Sequence, residues 1–141
     1  MSKHERIAEL ARQFAAEGVD ARYAGYFVLF NRQQFYEAHD LLEDLWLPDR
    51  HGRNGGFYKG LIQLAGAFVH LQKNRLRPSA ALFKLARTNL EKYPPTHERL
   101  FLEAVLTLIA GWLQFLESTQ FTQNPLGVRP DPQIHLILAT T

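Results

Sequence analysis

The sequence predicts an all-α fold, a single-domain antiparallel bundle of about six helices followed by an extended C-terminal arm. Three features of the chain predict it. Apolar residues recur at helical spacing along most of the sequence. Turn-forming residues separate these stretches by short intervals, and short connections favour antiparallel neighbours. Prolines then accumulate within residues 122–141, where no helix is expected.

The first predicted helix begins at a capping box, in which Ser2 and Glu5 stand before apolar residues at helical spacing. Gly18 is expected to end this helix, since glycine often follows the last helical turn. Asp20 then offers a side-chain cap for an aromatic-rich helix over residues 21–31.

Two further helices are predicted in the middle of the chain. One runs from about residue 33 to 47 and is ended by Pro48, which cannot continue a helix. Residues 48–56 are rich in turn formers and are expected to be a loop. A long helix over 57–72 follows, ended by Asn74.

The last two predicted helices are separated by proline. Pro78 suits the first turn of a helix over 78–91. The double proline at 94–95 breaks that helix, and Thr96 is expected to cap a strongly apolar helix over 97–117.

The domain prediction divides the chain into a helical bundle, residues 1–121, and an arm, residues 122–141. The arm is too rich in proline for a helix, yet its apolar run Ile134–Leu138 is unlike a free linker. We expect the arm to pack on the bundle or on a neighbouring subunit, and therefore expect a homo-oligomer, most simply a dimer.

Composition restricts the classes of function. The chain has 141 residues, enough for one domain with a real core, and its 46% apolar and 21% charged residues are typical of a soluble protein. Lysine and arginine (16) barely exceed aspartate and glutamate (14) and form no basic run, which argues against a nucleic-acid partner.

The sequence also lacks features that several kinds of site and protein require. Cysteine is absent, so disulfides, thiolate metal sites and cysteine nucleophiles are excluded. No apolar run approaches the length of a membrane span, and the first residues do not resemble a signal peptide. We therefore expect a cytoplasmic protein without a membrane partner.

The stretch 35–46, F-Y-E-A-H-D-L-L-E-D-L-W, carries the most concentrated polar groups. On a helical wheel its apolar residues fill one broad side. Glu37, Asp40 and Asp44 fall on the opposite side and are expected to face solvent.

His39 and Glu43 belong to neither side of that wheel. They lie at the edge of the apolar side beside Trp46, one turn apart and within side-chain contact, with Tyr36 next to them. These residues, together with Asp40, are the core of the candidate site.

The predicted helix 57–72 offers partners for this edge. Its apolar side is wide, and the remaining stripe carries Gln63 and His70 two turns apart. If this stripe meets the His39–Glu43 edge, two histidines, a carboxylate and an amide converge. One sequence does not determine how helices pair, so the convergence is a hypothesis.

Two interpretations of the edge follow. His39, Glu43 and His70 could bind a divalent metal ion, although the order of residues is neither the Glu-x-x-His of di-metal bundles nor H-E-x-x-H. Alternatively, His39 and Glu43 form a half-buried hydrogen-bonded pair that locks two helices and needs no cofactor. The second interpretation is the one we favour.

Two weaker possibilities remain. Glu43 beside Trp46 could act as an acid or base without metal if it lies in a pocket. Arg53, in the glycine-rich loop before a helix, is a candidate for binding an anion.

Two motifs together resemble a known family. F-N-x-x-x-F-Y-E-A-H-D-L-L-E-D-L-W at 30–46 and F-Y-K-G-L-I-Q-L-A-G-A-F-V-H at 57–70 are similar to the domain of unknown function 309 family, over roughly residues 25–93. The resemblance implies a small all-helical protein with His-Glu-x-x-Glu-x-x-Trp and Gly-Leu-Ile-Gln signatures. These signatures fall on the following residues: His39, Asp40, Glu43, Trp46, Gly60 and Gln63.

The match to the first signature is not complete, because Asp40 stands where the family has glutamate and is one methylene shorter. The family implies no activity. We therefore expect a non-enzymatic structural or partner-binding domain whose polar motif fixes helix packing. The alternative is a metal-dependent enzyme of hydrolase type with a His/Glu site between two helices.

Overall fold

The computed structural model describes residues 2–15 and 18–137, so parts of the predicted first helix region and of the arm lie outside the described residues. Within them the chain forms six α-helices and one two-stranded sheet, which confirms the all-α prediction. The elements are α1 (Lys3–Ala11), α2 (Ala21–Asn31), α3 (Phe35–Trp46), α4 (Gly55–Gln72), α5 (Leu76–Leu90), β1 (Thr96–His97), β2 (Leu100–Phe101) and α6 (Leu102–Ser118).

The starts of the first two helices follow the predicted caps. Ser2 Oγ accepts a hydrogen bond from the backbone N–H of Glu5 at 3.1 Å, and Asp20 Oδ1 accepts from that of Arg22 at 2.8 Å. Each bond satisfies an N–H that has no partner inside the helix. The end of α1 was predicted wrongly, because the chain tightens into a 3₁₀ turn at Arg12–Phe14, well before Gly18.

Helices α2 to α5 pack in chain order, each antiparallel to the next. The end of α2 meets the start of α3 where Phe30 contacts Phe35, with ring centroids 5.0 Å apart. The start of α3 in turn lies against the end of α4, where Phe35 stacks on Phe68 at 4.8 Å. Near the end of α4, Ala67 accepts a hydrogen bond from Ser79, close to the start of α5, at 2.8 Å. Short loops therefore do place antiparallel neighbours side by side.

Phe68 lies at the centre of the core. Its ring contacts Phe35 at 4.8 Å, Phe30 at 5.5 Å, Phe83 at 5.2 Å and Trp112 at 4.8 Å, so that α2, α3, α5 and α6 all meet on α4. All except the stacked Phe35 pair meet edge to face, the arrangement that the charge distribution of aromatic rings favours. The wide apolar side of α4 is explained by this central position.

The predicted helix over 97–117 was wrong at its start. Residues 96–101 form a hairpin, in which Thr96 pairs with Phe101 and His97 with Leu100, and α6 begins only at Leu102. Glu98 and Arg99 both have positive φ, at 48° and 58°, as the tight turn between two such strands requires. Thr96 therefore belongs to a strand and does not cap the helix.

Residues 122–137 contain no helix and run across the bundle. Asn124 donates to the carbonyl of Leu71 at the end of α4 at 2.7 Å, and further on Ile134 is bonded to Asn31 at the end of α2. The boundary that we predict at residue 121 stays a prediction. None of the described helices is long and apolar enough to cross a membrane.

Candidate functional site

The polar edge of α3 brings three of the predicted site residues together. His39 Nδ1 lies 3.2 Å from Asp40 Oδ1, and His39 Nε2 lies 3.7 Å from Glu43 Oε2. The imidazole is thus placed between two carboxylates of its own helix, one at hydrogen-bond distance and one slightly beyond it. All three side chains are partly buried. The proximity of His39 and Glu43 follows from helical geometry, since residues four apart are neighbours on one face.

The acidic side of α3, predicted to face solvent, is covered by α1. Lys3 Nζ lies 3.6 Å from Glu43 Oε1 and 3.9 Å from Asp40 Oδ1. His4 Nδ1 donates to Asp44 Oδ1 at 2.9 Å. The prediction was therefore wrong for Asp40 and Asp44, and only Glu37 of that group is exposed.

Asp44 is also bonded to α2. Arg22 Nη1 donates to Asp44 Oδ2 at 2.9 Å, while its Nε and Nη2 donate to the two carboxylate oxygens of Asp20 at 3.0 Å. Burial raises the pKa of Asp44, but the hydrogen bonds from His4 and Arg22 outweigh it, so the pKa is lowered overall. The hydrogen bond from Arg22 likewise lowers the pKa of Asp20. Both carboxylates are thus held ionised, and Asp44 is hydrogen-bonded to side chains of two other helices.

A cleft of about 570 Å³ opens beside these ion pairs, between α1, α2 and the end of α3. Its lining combines two cationic side chains, one histidine, three acidic side chains and two apolar residues: Lys3, Arg22, His4, Asp40, Glu43, Asp44, Leu47 and Pro48. Each of the acidic side chains has Lys3 or Arg22 within 4 Å.

Trp46 and Tyr36 flank the edge in different ways. Lys59 of α4 places Nζ 4.5 Å from the centre of the Trp46 ring, a cation–π contact that joins the end of α3 to the start of α4. The indole Nε1 of Trp46 is buried and has no hydrogen-bond partner among the residues described. Tyr36 is 57% exposed, and its ring lies parallel to that of His39 at 6.4 Å.

Gln63 and His70 of α4 face other neighbours. Gln63 Oε1 accepts a hydrogen bond from Asn89 Nδ2 of α5 at 2.8 Å, which directs the amide away from α3. Burial lowers the pKa of His70, and the cations Arg75 and Lys73 lower it further. Nδ1 of His70 is buried without a partner within the described ranges.

The convergence of His39 and Glu43 with His70 therefore receives no geometric support. Across residues 2–15 and 18–137, no three histidine or carboxylate side chains are grouped closely enough to hold a metal ion. His39 and Glu43 would supply two ligands at most, whereas protein zinc sites use three or four. Whether the protein binds a metal remains a prediction to be tested.

The loop before α4 places Arg53 on the surface. The Arg53 carbonyl accepts a hydrogen bond from the Tyr93 hydroxyl at 3.0 Å, which ties the loop to the end of α5. Its guanidinium is exposed, and the proposed role in anion binding stays a prediction.

Comparison with known proteins agrees with the resemblance seen in the motifs. Residues 23–82 match the family described as Domain of unknown function (DUF309). Over these residues, the chain is similar to the DUF309 family. No curated protein and no solved structure matches the chain.

The DUF309 segment contains α2 from Tyr23 onward, α3, α4 and the first half of α5, and so includes the whole polar edge. The similarity that we predict beyond residue 82 stays a prediction. Gly60, in one of the family signatures, packs against α5, where a Cβ at this position would lie 2.8 Å from the side chain of Leu90 and 3.3 Å from the carbonyl of Ala86. The close approach of α4 to the part of α5 beyond the DUF309 segment depends on that glycine.

Sequence reasoning missed one buried polar group beside the DUF309 segment. His97 of the hairpin is buried, and its Nε2 donates to Asn54 Oδ1 at 2.7 Å. Asn54 Nδ2 in turn donates to Glu98 Oε1 at 3.4 Å. No signal in the sequence indicated this network, because the hairpin turn contains neither glycine nor asparagine.

Proposed function

We propose that this chain is a non-enzymatic structural or partner-binding helical domain of the cytoplasm that self-associates, and that its polar motif fixes helix packing. In this proposal the carboxylates of α3 hold α1 and α2 on the bundle. The observation that carries the proposal is the set of ion pairs from α3 to Lys3, His4 and Arg22. A catalytic carboxylate has to be available to a substrate, whereas these carboxylates are paired within the chain.

The physical argument concerns α1. This helix has nine residues, too few to be stable alone in water, and it buries only Ile7 and Ala11. Partly buried, hydrogen-bonded charge pairs add specificity to such a small apolar contact. Holding α1 on the bundle is therefore a structural role that accounts for the polar residues of α3 without any catalytic activity.

The alternative remains a metal-dependent enzyme of hydrolase type. It is supported by one feature, the cleft of about 570 Å³ beside Glu43 and Asp40, which is large enough for a small substrate. A third ligand would have to come from another group, since His70 is not near the other two.

Two measurements distinguish the proposals. We expect protein purified without an affinity tag to contain no stoichiometric zinc, iron or manganese by elemental analysis. We expect His39→Ala to lower the free energy of unfolding by about 1–3 kcal/mol, as loss of a partly buried hydrogen-bonded group does.

His51→Ala is the matched control, because His51 is exposed in the loop before α4 and its replacement should change stability by less than about 0.5 kcal/mol. Stoichiometric metal in the wild type that is lost in His39→Ala would contradict the structural role and support the enzyme.

A further inference from the structure

The end of α2 holds an extended segment of the chain by its backbone. Asn31 Nδ2 donates to the carbonyl of Ile134 at 2.8 Å, and the backbone N–H of Ile134 donates to Asn31 Oδ1 at 2.7 Å. These two bonds to one residue reproduce the pair that a neighbouring antiparallel strand supplies. Asn31 therefore binds the backbone of an extended segment, and the same two bonds can form whether that segment belongs to the same chain or to another copy.

Other contacts extend the seat along the segment. Gln33 Nε2 donates to the carbonyl of Pro132 at 3.2 Å, and Gln133 Nε2 donates to that of Asn31 at 2.9 Å. The side chain of Ile134 is only 5% exposed. We call residues 132–137 the arm segment and the surface of α2 and Gln33 that receives it the arm seat. The arm seat thus forms hydrogen bonds with the backbone of the arm segment and buries one aliphatic side chain, that of Ile134.

The arm segment leaves apolar surface around the seat uncovered. A cleft of about 510 Å³ remains between α2 and the arm segment, with Phe27, Val28 and Leu136 among its walls. On either side of the seated part of the arm, Val128 is 65% exposed and Ile137 47% exposed. Two large apolar side chains beside the seated part of the arm are thus left exposed.

The connection that leads into the arm segment turns at Gly127. Gly127 has φ +84°, and no atom lies within 4 Å of where its Cβ would be. Pro130 and Asp131 are exposed. We call residues 127–131 the hinge. It is held on α6 through Arg129, whose guanidinium lies 5.4 Å from the centre of the Trp112 ring and packs against Gly111.

We propose that two copies of this chain exchange arm segments, so that each Asn31 holds Ile134 of the partner copy. The proposal rests on the self-association proposed above and specifies its surface. A second copy is the occupant because it presents the one segment already seen to fit the arm seat. The exchanged arms retain their contacts with the seat, and the two hinges run side by side, covering Val128. Such exchange is a low-cost route to a dimer.

Two complementary variants test the exchange. Asn31→Asp breaks the seat, because a carboxylate cannot donate to the Ile134 carbonyl, and leaves the arm segment intact. Ile134→Asp breaks the arm segment and leaves the seat intact. We expect the wild type to form a dimer as concentration rises in analytical ultracentrifugation, and each variant alone to remain a monomer.

An equimolar mixture of the two variants should recover the dimer mass, because the intact arm of one can enter the intact seat of the other. In the wild type, the arm of each chain competes for the seat of that same chain. Neither variant has this competition, so we expect the mixture to dimerise at lower concentration than the wild type. Glu37→Gln, an exposed change on α3, is the control and should dimerise as the wild type does.

The outcomes separate the two proposals. A wild type that stays monomeric overturns both the exchange and the proposed self-association. A dimer that persists in both variants, or a mixture that stays monomeric, overturns the exchange and leaves self-association through another surface. Cooperative thermal unfolding of each variant is required first, and Ile134→Thr replaces Ile134→Asp if the latter does not fold.

Discussion

Asp44 shows how one residue can join three helices. It lies on α3, accepts a hydrogen bond from His4 of α1 and another from Arg22 of α2, and is partly buried by both. Hydrogen bonds to a charged group are stronger than those between neutral groups. The lowered pKa of Asp44 reflects this stabilisation of the ionised form.

We predict that Asp44→Asn lowers the free energy of unfolding at pH 7 by about 1–3 kcal/mol, the usual range for hydrogen bonds to charged groups. The pKa of Asp44 is lower in the folded protein than in the unfolded chain, where it is about 4. The stabilisation is therefore fully present above about pH 4 and is lost as pH falls through the lower folded pKa. Chemical denaturation at several pH values measures this.

Glu37→Gln controls for the loss of one negative charge, since Glu37 is on the same helix but exposed. A gap between wild type and Asp44→Asn that stays constant from pH 7 to pH 3 would show that the carboxylate charge of Asp44 does not matter.

For individual residues, the sequence predicted which side chains of α3 lie next to each other, but it did not predict their contacts with other helices. The proximity of His39 and Glu43 follows from helical spacing alone, and the structure shows it. A helical wheel does not reveal what covers each side, however. The contact between His4 and Asp44 joins residues 40 positions apart, so Asp44 could not be distinguished from an exposed carboxylate.

Among the elements, the hairpin at 96–101 is the one that the sequence did not predict. Its turn residues Glu98 and Arg99 have the left-handed backbone that usually calls for glycine or asparagine. The carbonyl of Glu98 accepts a hydrogen bond from the Tyr23 hydroxyl of α2 at 2.7 Å. A tertiary contact thus helps to hold a turn that its own residues do not favour, which local patterns cannot reveal.

We predict that Tyr23→Phe lowers the free energy of unfolding by about 1–2 kcal/mol, because the Glu98 carbonyl loses its donor while the ring remains in place. Burial raises the pKa of Tyr23, so its hydroxyl remains a donor in neutral and mildly alkaline solution. Urea denaturation measures the loss, and amide hydrogen exchange at Leu100 should become faster.

Tyr36→Phe is the matched change at an exposed tyrosine of α3 and should alter stability by less than about 0.5 kcal/mol. Equal effects of the two substitutions would mean that the hydroxyl of Tyr23 does not stabilise the hairpin.

The helices themselves were largely predictable, for a physical reason that the hairpin lacks. The predicted helix over 21–31 has the observed bounds, because Asp20 supplies a cap and the apolar residues follow at helical spacing. Both signals are local. The wide apolar side of α4 was also visible in the sequence, and it agrees with the central position of this helix, since a helix that is apolar over most of its surface has to be surrounded.

For the whole molecule, stability should depend on residues far along the chain from the family segment. Ile134 is buried against the bundle, and we predict that Ile134→Ala lowers the free energy of unfolding by roughly 2–4 kcal/mol, as other buried isoleucine truncations do. Thermal or urea denaturation at a fixed protein concentration measures the loss.

Ile137→Ala provides the comparison, because Ile137 is 47% exposed and should contribute less than about 1 kcal/mol. If both variants unfold as the wild type does, the arm segment adds nothing to stability and its contacts with α2 do not persist in solution.

The bond between Asn31 and Ile134 also has a consequence for biosynthesis. The two residues are 103 positions apart, and ribosomes add roughly 5 to 20 residues per second. The end of α2 is therefore made about 5 to 20 seconds before the residue that occupies its seat. During that interval the nascent chain presents an empty seat for extended backbone, and on a polysome the nearest finished arm segment can belong to a neighbouring chain.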